Sequence, residues 1–205
     1  SKDGIVEGDV IIQFNDKSNM LGLSINTYKS PSDSYTLQLM RNPLNYGKLT
    51  KWTESEVGGL DTSSFVSPEL ISYKSFDGLE VPAFVYAKES EEPLPIIIYI
   101  HGGPEGQSRP RFSSTFQLWI DQLGAAVITP NVRGSEGYGK TYLGLDNGFN
   151  REDSVKDIGA LLDWIETQPQ FDSSRVAVYG GSYGGYMVLA SAVHYSNRLK
   201  AAIDI

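Results

Sequence analysis

Ser182 stands in the stretch Tyr179-Gly180-Gly181-Ser182-Tyr183-Gly184-Gly185-Tyr186-Met187, between two pairs of glycines. A serine hydroxyl is a weak nucleophile until a base and a fixed geometry activate it. The pattern Gly180-Gly181-Ser182-Tyr183-Gly184 is the G-x-S-x-G of a nucleophile elbow, a strained strand-to-helix turn that exposes the hydroxyl. Glycine loses the most backbone freedom on folding. Four of them within positions 180–185 therefore mark a bend where nothing larger fits. The competing reading is a glycine-rich turn with an incidental serine, and the flanking elements decide between the two.

A nucleophile of this kind needs donors aimed at the charge that develops on the attacked carbonyl oxygen. One is expected from the backbone N–H of Tyr183, at a helix N-terminus where the dipole favours negative charge. The other is expected from the loop after the third strand, where His101-Gly102-Gly103-Pro104 follows the apolar run Leu94–Ile100. His101 is not read as the general base, because in the order Ser, Asp, His the base comes well after the serine; it is expected to support this loop by a hydrogen bond. His194 falls on the helix after the elbow, about three turns from Ser182, and reads as a surface or packing residue. Asp204 follows Ser182 too closely to be the acid. In the loop Asn131-Val132-Arg133-Gly134-Ser135-Glu136-Gly137-Tyr138-Gly139, Arg133 and Glu136 either bind substrate or pair with each other to hold the loop, with the structural role preferred. No G-K-[ST] ending makes this a phosphate loop.

The elements that must position these residues alternate. Strands are predicted at Glu69–Lys74 and 81–88 around a hairpin turn at Phe76-Asp77-Gly78. Leu94–Ile100 reads as a strand buried on both faces, followed by a helix over 112–123 and a buried strand over 125–129. Val155, Ile158, Leu161, Leu162 and Ile165 recur at helical spacing in a helix over 152–168, stopped by Pro169. A strand over 175–179, the elbow, a helix over Tyr183–Tyr195 and a strand over 200–205 complete the series. Strands alternating with helices indicate a mostly parallel α/β sheet. The elbow thus has the strand before it and the helix after it that its chemistry demands.

The first sixty residues read differently. Runs at Val10-Ile11-Ile12-Gln13-Phe14, Leu21-Gly22-Leu23-Ser24-Ile25 and Tyr35-Thr36-Leu37-Gln38-Leu39 are separated by turn clusters at Asn15-Asp16-Lys17-Ser18-Asn19 and Ser30-Pro31-Ser32-Asp33. This is the spacing of an antiparallel meander of three or four strands, with Gly58-Gly59-Leu60-Asp61-Thr62 as a linker. The domain boundary is accordingly placed between 1–62 and 63–205.

Composition narrows the classes. A net charge of −8 over 205 residues argues against a nucleic-acid partner. No stretch reaches the roughly 18 apolar residues of a membrane span, and residues 1–4 are no signal peptide. The chain has no cysteine, which excludes disulfides, thiolate metal sites and a cysteine nucleophile and fits a reducing, cytoplasmic setting. No cofactor and no metal are expected.

Four stretches, SFDGLEVPAFVY, IIIYIHGGPEGQ, VITPNVRGSEGYGKTY and VAVYGGSYGGYM, occur in this order, and together they resemble the prolyl oligopeptidase family of serine peptidases in its acylaminoacyl-peptidase-like and dipeptidyl-peptidase-like branches. The resemblance covers about 60–205; the earlier residues resemble the end of that family's β-propeller more loosely. It implies an eight-stranded α/β-hydrolase domain, of which about six strands are present here, capped by a propeller that admits short peptides. It implies Ser182 as nucleophile, with the N–H groups of Gly103 and Tyr183 as oxyanion donors and a short peptide or acyl-peptide as substrate. A Tyr takes the place of His101 in some branches, so the histidine points to the acylaminoacyl-like branch. The sequence departs from the family at both ends, where most propeller blades and the strands bearing the catalytic Asp and His are expected. The chain is therefore expected to be a piece of a longer enzyme. Whether the full-length protein is a homo-oligomer stays open. An esterase on the same fold would cleave aryl esters and spare peptide anilides. A non-catalytic fragment that keeps the elbow as scaffold would leave Ser182 inert even in the full-length protein.

Overall fold

In the computed structural model, which describes residues 8–15, 19–39 and 46–205, the chain divides into two units. The first comprises residues 1–67 with 109–114, and the second 68–108 with 115–205. Residues 1–4, and 16–18 at the centre of one predicted turn, lie outside the described residues.

The first unit is a four-stranded antiparallel sheet of β1 (Gly8–Phe14), β2 (Met20–Thr27), β3 (Ser30–Leu39) and β4 (Tyr46–Lys51), in that order, a meander. One predicted turn is corrected. Ser30-Pro31-Ser32-Asp33 lies inside β3, and the chain reverses one step earlier, at Tyr28-Lys29, where Thr27 pairs with Ser30. Pro31 is tolerated because the register slips there: between the pairs Ile25–Asp33 and Thr27–Ser30, Asn26 alone faces Pro31 and Ser32. Such a bulge is where a residue without an N–H fits a strand. Asp33, a turn former by type, is buried and directs Oδ1 to the Thr53 hydroxyl and the Ser55 N–H, both at 2.9 Å.

The second unit is a six-stranded sheet. Its strands are β5 (Glu69–Lys74), β6 (Glu80–Tyr86), β7 (Leu94–Ile100), β8 (Ala126–Pro130), β9 (Phe171–Gly180) and β10 (Ala201–Asp204). Its helices are α1 (Ser114–Gln122), α2 (Lys140–Leu143), α3 (Asp153–Glu166) and α4 (Tyr183–Tyr195). The strand order β10-β9-β7-β8-β6-β5 puts β7 at the centre, parallel to both β8 and β9, with the antiparallel β5–β6 hairpin on one edge. This is the α/β-hydrolase fold.

The apolar stripe of α3 buries Val155, Ile158, Leu161, Leu162 and Ile165 in one core with Ile96, Ile98 and Ile100 of β7 and Met187 and Val188 of α4. Each such side chain contributes about 1.5–3 kcal/mol relative to exposure. The other face of β7 is only half covered, unlike the prediction of burial on both sides. There Tyr99 stacks on Tyr179 at 5.8 Å and meets Phe116 of α1 edge-on at 5.0 Å. β9 begins at Phe171, earlier than predicted, because that residue already pairs with Leu94.

Candidate active site

The β9–α4 turn carries Ser182 at φ 56° and ψ −121°, the one non-glycine residue at positive φ among those described. A side chain held there costs about 1–3 kcal/mol and persists only where its surroundings impose it. Here the glycines impose it by space. A Cβ on Gly184 would stand 2.2 Å from the Ile100 carbonyl oxygen. Helix α4 therefore starts directly against the end of β7, and the Tyr183 N–H lies in its first turn.

The loop after β7 closes on this turn. A Cβ on Gly102 would lie 3.7 Å from Ser182 Cβ and 4.0 Å from its Oγ. His101 is buried beside it, with Nδ1 2.8 Å from the Gly102 carbonyl oxygen and Nε2 2.8 Å from Ser135 Oγ. Burial holds its pKa below the ordinary histidine value, against the pull of the Gly102 carbonyl and of Glu136. Gly106 covers the same carbonyl so closely that a Cβ would stand 2.2 Å from its oxygen. The Glu136 N–H donates to the Gly106 carbonyl at 3.1 Å, joining this loop to the one after β8.

Arg133 and Glu136 do not pair, contrary to one of the alternatives drawn from the sequence. Arg133 is buried and gives its N–H, Nε and Nη2 to the fully buried Asp157 on α3 and both Nη groups to Asp77 in the β5–β6 turn. Burial works against its charge, but the two carboxylates outweigh it and hold the guanidinium above its ordinary value. The same burial raises Asp157 above the usual carboxylate range, against donors from Arg133 and Ser75. With four donors aimed at its two oxygens, the carboxylate is the form that suits the site at neutral pH. Arg133 thus anchors the loop that carries Ser135.

A second cluster holds Tyr183. Its hydroxyl lies 2.8 Å from Ser154 Oγ and donates to Asp146 at 3.2 Å, and the Arg151 guanidinium, paired with Asp146, lies 5.4 Å from its ring centre. The residue next to the nucleophile is therefore fixed by side chain as well as by helix.

Of the residues singled out in the sequence, the structure brings Ser182, Tyr183, His101, Gly102 and Gly103 together, and buries Arg133 in the loop whose Ser135 meets His101. Glu136 is exposed at the rim, and His194 is exposed on α4. Sequence reasoning missed Ser135, Asp157, Asp77 and the Asp146–Arg151–Ser154 cluster. Only Asp157 carried a signal, as a carboxylate inside the apolar stripe of α3. Among the described residues no three His, Asp or Glu side chains gather as a metal site, and no helix is long and apolar enough to cross a membrane.

A strained serine at the elbow of an α/β-hydrolase sheet defines the class. The family model of the prolyl oligopeptidase family matches residues 110–204, and the chain is similar to that family through this segment. An uncharacterized peptidase of Bacillus subtilis, YuxL, is 35% identical over 140 residues, 66% of this chain and 21% of its own length. The acylamino-acid-releasing enzyme of Homo sapiens is 30% identical over 111 residues, 54% of this chain and 15% of its own. The acylaminoacyl peptidase of Pyrococcus horikoshii superposes on 97% of this chain with a TM-score of 0.78, using 31% of its own chain at 24% identity. The chain spans 15–25% of the length of the curated relatives it matches.

Proposed function

We propose that the protein is a serine peptidase that hydrolyses short peptides through an acyl-enzyme on Ser182. One observation carries the reading: Ser182 alone among the described non-glycine residues takes positive φ, at the β9–α4 turn and against Gly102. Its Oγ attacks the peptide carbonyl carbon while a base takes the hydroxyl proton. The carbonyl electron pair moves onto oxygen, where the N–H groups of Tyr183 and Gly103 receive it. Collapse breaks the C–N bond, the amine leaves with the proton, and water then cleaves the ester to restore Ser182.

Neither described histidine suits the base, since His101 has both ring nitrogens engaged and His194 is exposed on α4. The base and its acid are proposed to come from residues outside these 205. Residues 1–62 are read as the last blade of a β-propeller and 63–205 as the first part of the hydrolase domain. The names of relatives, an acylamino-acid-releasing enzyme and a dipeptidyl aminopeptidase of Pseudoxanthomonas mexicana, support a substrate approached from its N-terminal end, either acyl-blocked or free.

The test is turnover of N-terminally blocked and free peptide anilides by the full-length protein. Ser182→Ala is expected to lower kcat more than about a thousandfold. Equal turnover by wild type and variant would sink the reading.

A further inference from the structure

Ser135 is fully buried in the loop after β8, its hydroxyl oxygen 2.8 Å from His101 Nε2 and 2.7 Å from the Val132 carbonyl oxygen. Across the ring, Nδ1 lies 2.8 Å from the Gly102 carbonyl oxygen, which only accepts. Proton placement follows from these three contacts. A proton on Nε2 alone would leave the bare Nδ1 lone pair facing the Gly102 oxygen, a repulsive contact shielded from water. A proton on Nδ1 lets that nitrogen donate to Gly102, while the Ser135 hydroxyl rotates to donate to Nε2. The Val132 carbonyl then still keeps the Ser135 backbone N–H, at 3.0 Å. If the ring carries both protons, the hydroxyl accepts from Nε2 and turns its own hydrogen to Val132. A group that both donates and accepts completes either arrangement, and the Nδ1 bond to Gly102 survives in each.

We infer that Ser135 is a positioning residue: it tethers His101 through Nε2, and the ring in turn holds the Gly102–Gly103 peptide in a fixed direction beside Ser182. That peptide is trans and planar, so a Gly102 carbonyl drawn onto the ring sends the Gly103 N–H the opposite way. Gly106 packs over the Gly102 oxygen and leaves no room for a side chain there. Ser135 is itself held by a loop that Arg133 pins to Asp157 and Asp77. Without the hydroxyl, Nε2 loses its buried partner and the ring is restrained from one side only. The catalytic consequence rests on the proposed nucleophilic role of Ser182; the tether itself does not.

The experiment follows the ring nitrogens and turnover in parallel, in full-length protein carrying 15N-labelled histidine, with His101 assigned by its loss in His101→Asn. Wild type is expected to show a protonated Nδ1 and an Nε2 shifted by an accepted hydrogen bond. In Ser135→Ala, Nε2 is expected to move to the position of a free lone pair and the Nδ1 proton to exchange faster. Ser135→Cys, which keeps a weaker donor, should fall between. On peptide anilides, Ser135→Ala should lower kcat by up to about a hundredfold, the scale of losing an oxyanion donor, with KM nearly unchanged. His101→Asn keeps an N–H in the place of Nδ1, so adding Ser135→Ala to it should cost nothing further. Unchanged ring signals in Ser135→Ala would overturn the tether, and they are read without turnover, whatever becomes of Ser182 as nucleophile. An equal kcat loss in the His101→Asn background would overturn its action through His101.

Discussion

Removing the Asp157 carboxylate would leave the Arg133 guanidinium, its side chain 4% exposed, with Asp77 as its one carboxylate partner, 42% exposed to water. Breaking a buried pair from one side costs about 3–5 kcal/mol, whereas an exposed pair is worth about 1 kcal/mol or less. Asp157→Ala is therefore expected to lower the urea midpoint far more than Asp77→Ala, and equal losses would show that the buried pair does not anchor the loop. His101 gives a second expectation at this scale. Its pKa is lowered by burial, so as pH falls the unfolded chain takes up the proton first. The stability tied to the neutral ring is complete above about pH 6.5 and is lost as pH falls toward and through the lowered folded value. The stability gap between wild type and His101→Asn should narrow from pH 7.5 to 5 in urea titrations. Parallel curves would mean that the ring is not held neutral.

At the scale of elements, the contact of α4 with β7 makes the site. Gly184→Ala places a methyl 2.2 Å from the Ile100 carbonyl oxygen, and backbone on both sides cannot give way cheaply. The variant is expected to lose about 1–3 kcal/mol, the cost of overpacking, and to react more slowly at Ser182. Unchanged thermal unfolding and reactivity would refute the close approach. This part of the site was legible in the sequence, because glycine spacing and strand–helix alternation are local signals. The turn at Tyr28-Lys29 was not, since Ser30-Pro31-Ser32-Asp33 has turn composition and only its register with β2 makes it strand. The partners of Arg133 were hidden for a similar reason. Asp77 and Asp157 lie 56 and 24 residues away in sequence, and only the packing of α3 and the β5–β6 hairpin brings them together.

Over the whole molecule, burial is uneven. The largest fully buried side chains among the described residues, from Tyr73 and Tyr86 to Met187, all belong to the second unit. The first unit is a thin sheet, with most of the described residues of β2 and β3 half-buried. Alternation of strand and helix revealed the second unit from the sequence, and the meander spacing revealed the first. Which distant side chains brace the catalytic loops was written only in three dimensions. The central consequence expected of this scaffold is an exposed, reactive serine at position 182. Its most direct test is the mass of the full-length protein and of its peptides after treatment with a fluorophosphonate, in which Oγ forms a bond to phosphorus and fluoride leaves. A single adduct on Ser182, absent from Ser182→Ala, is the expected result. An unmodified Ser182 in folded full-length protein would contradict it.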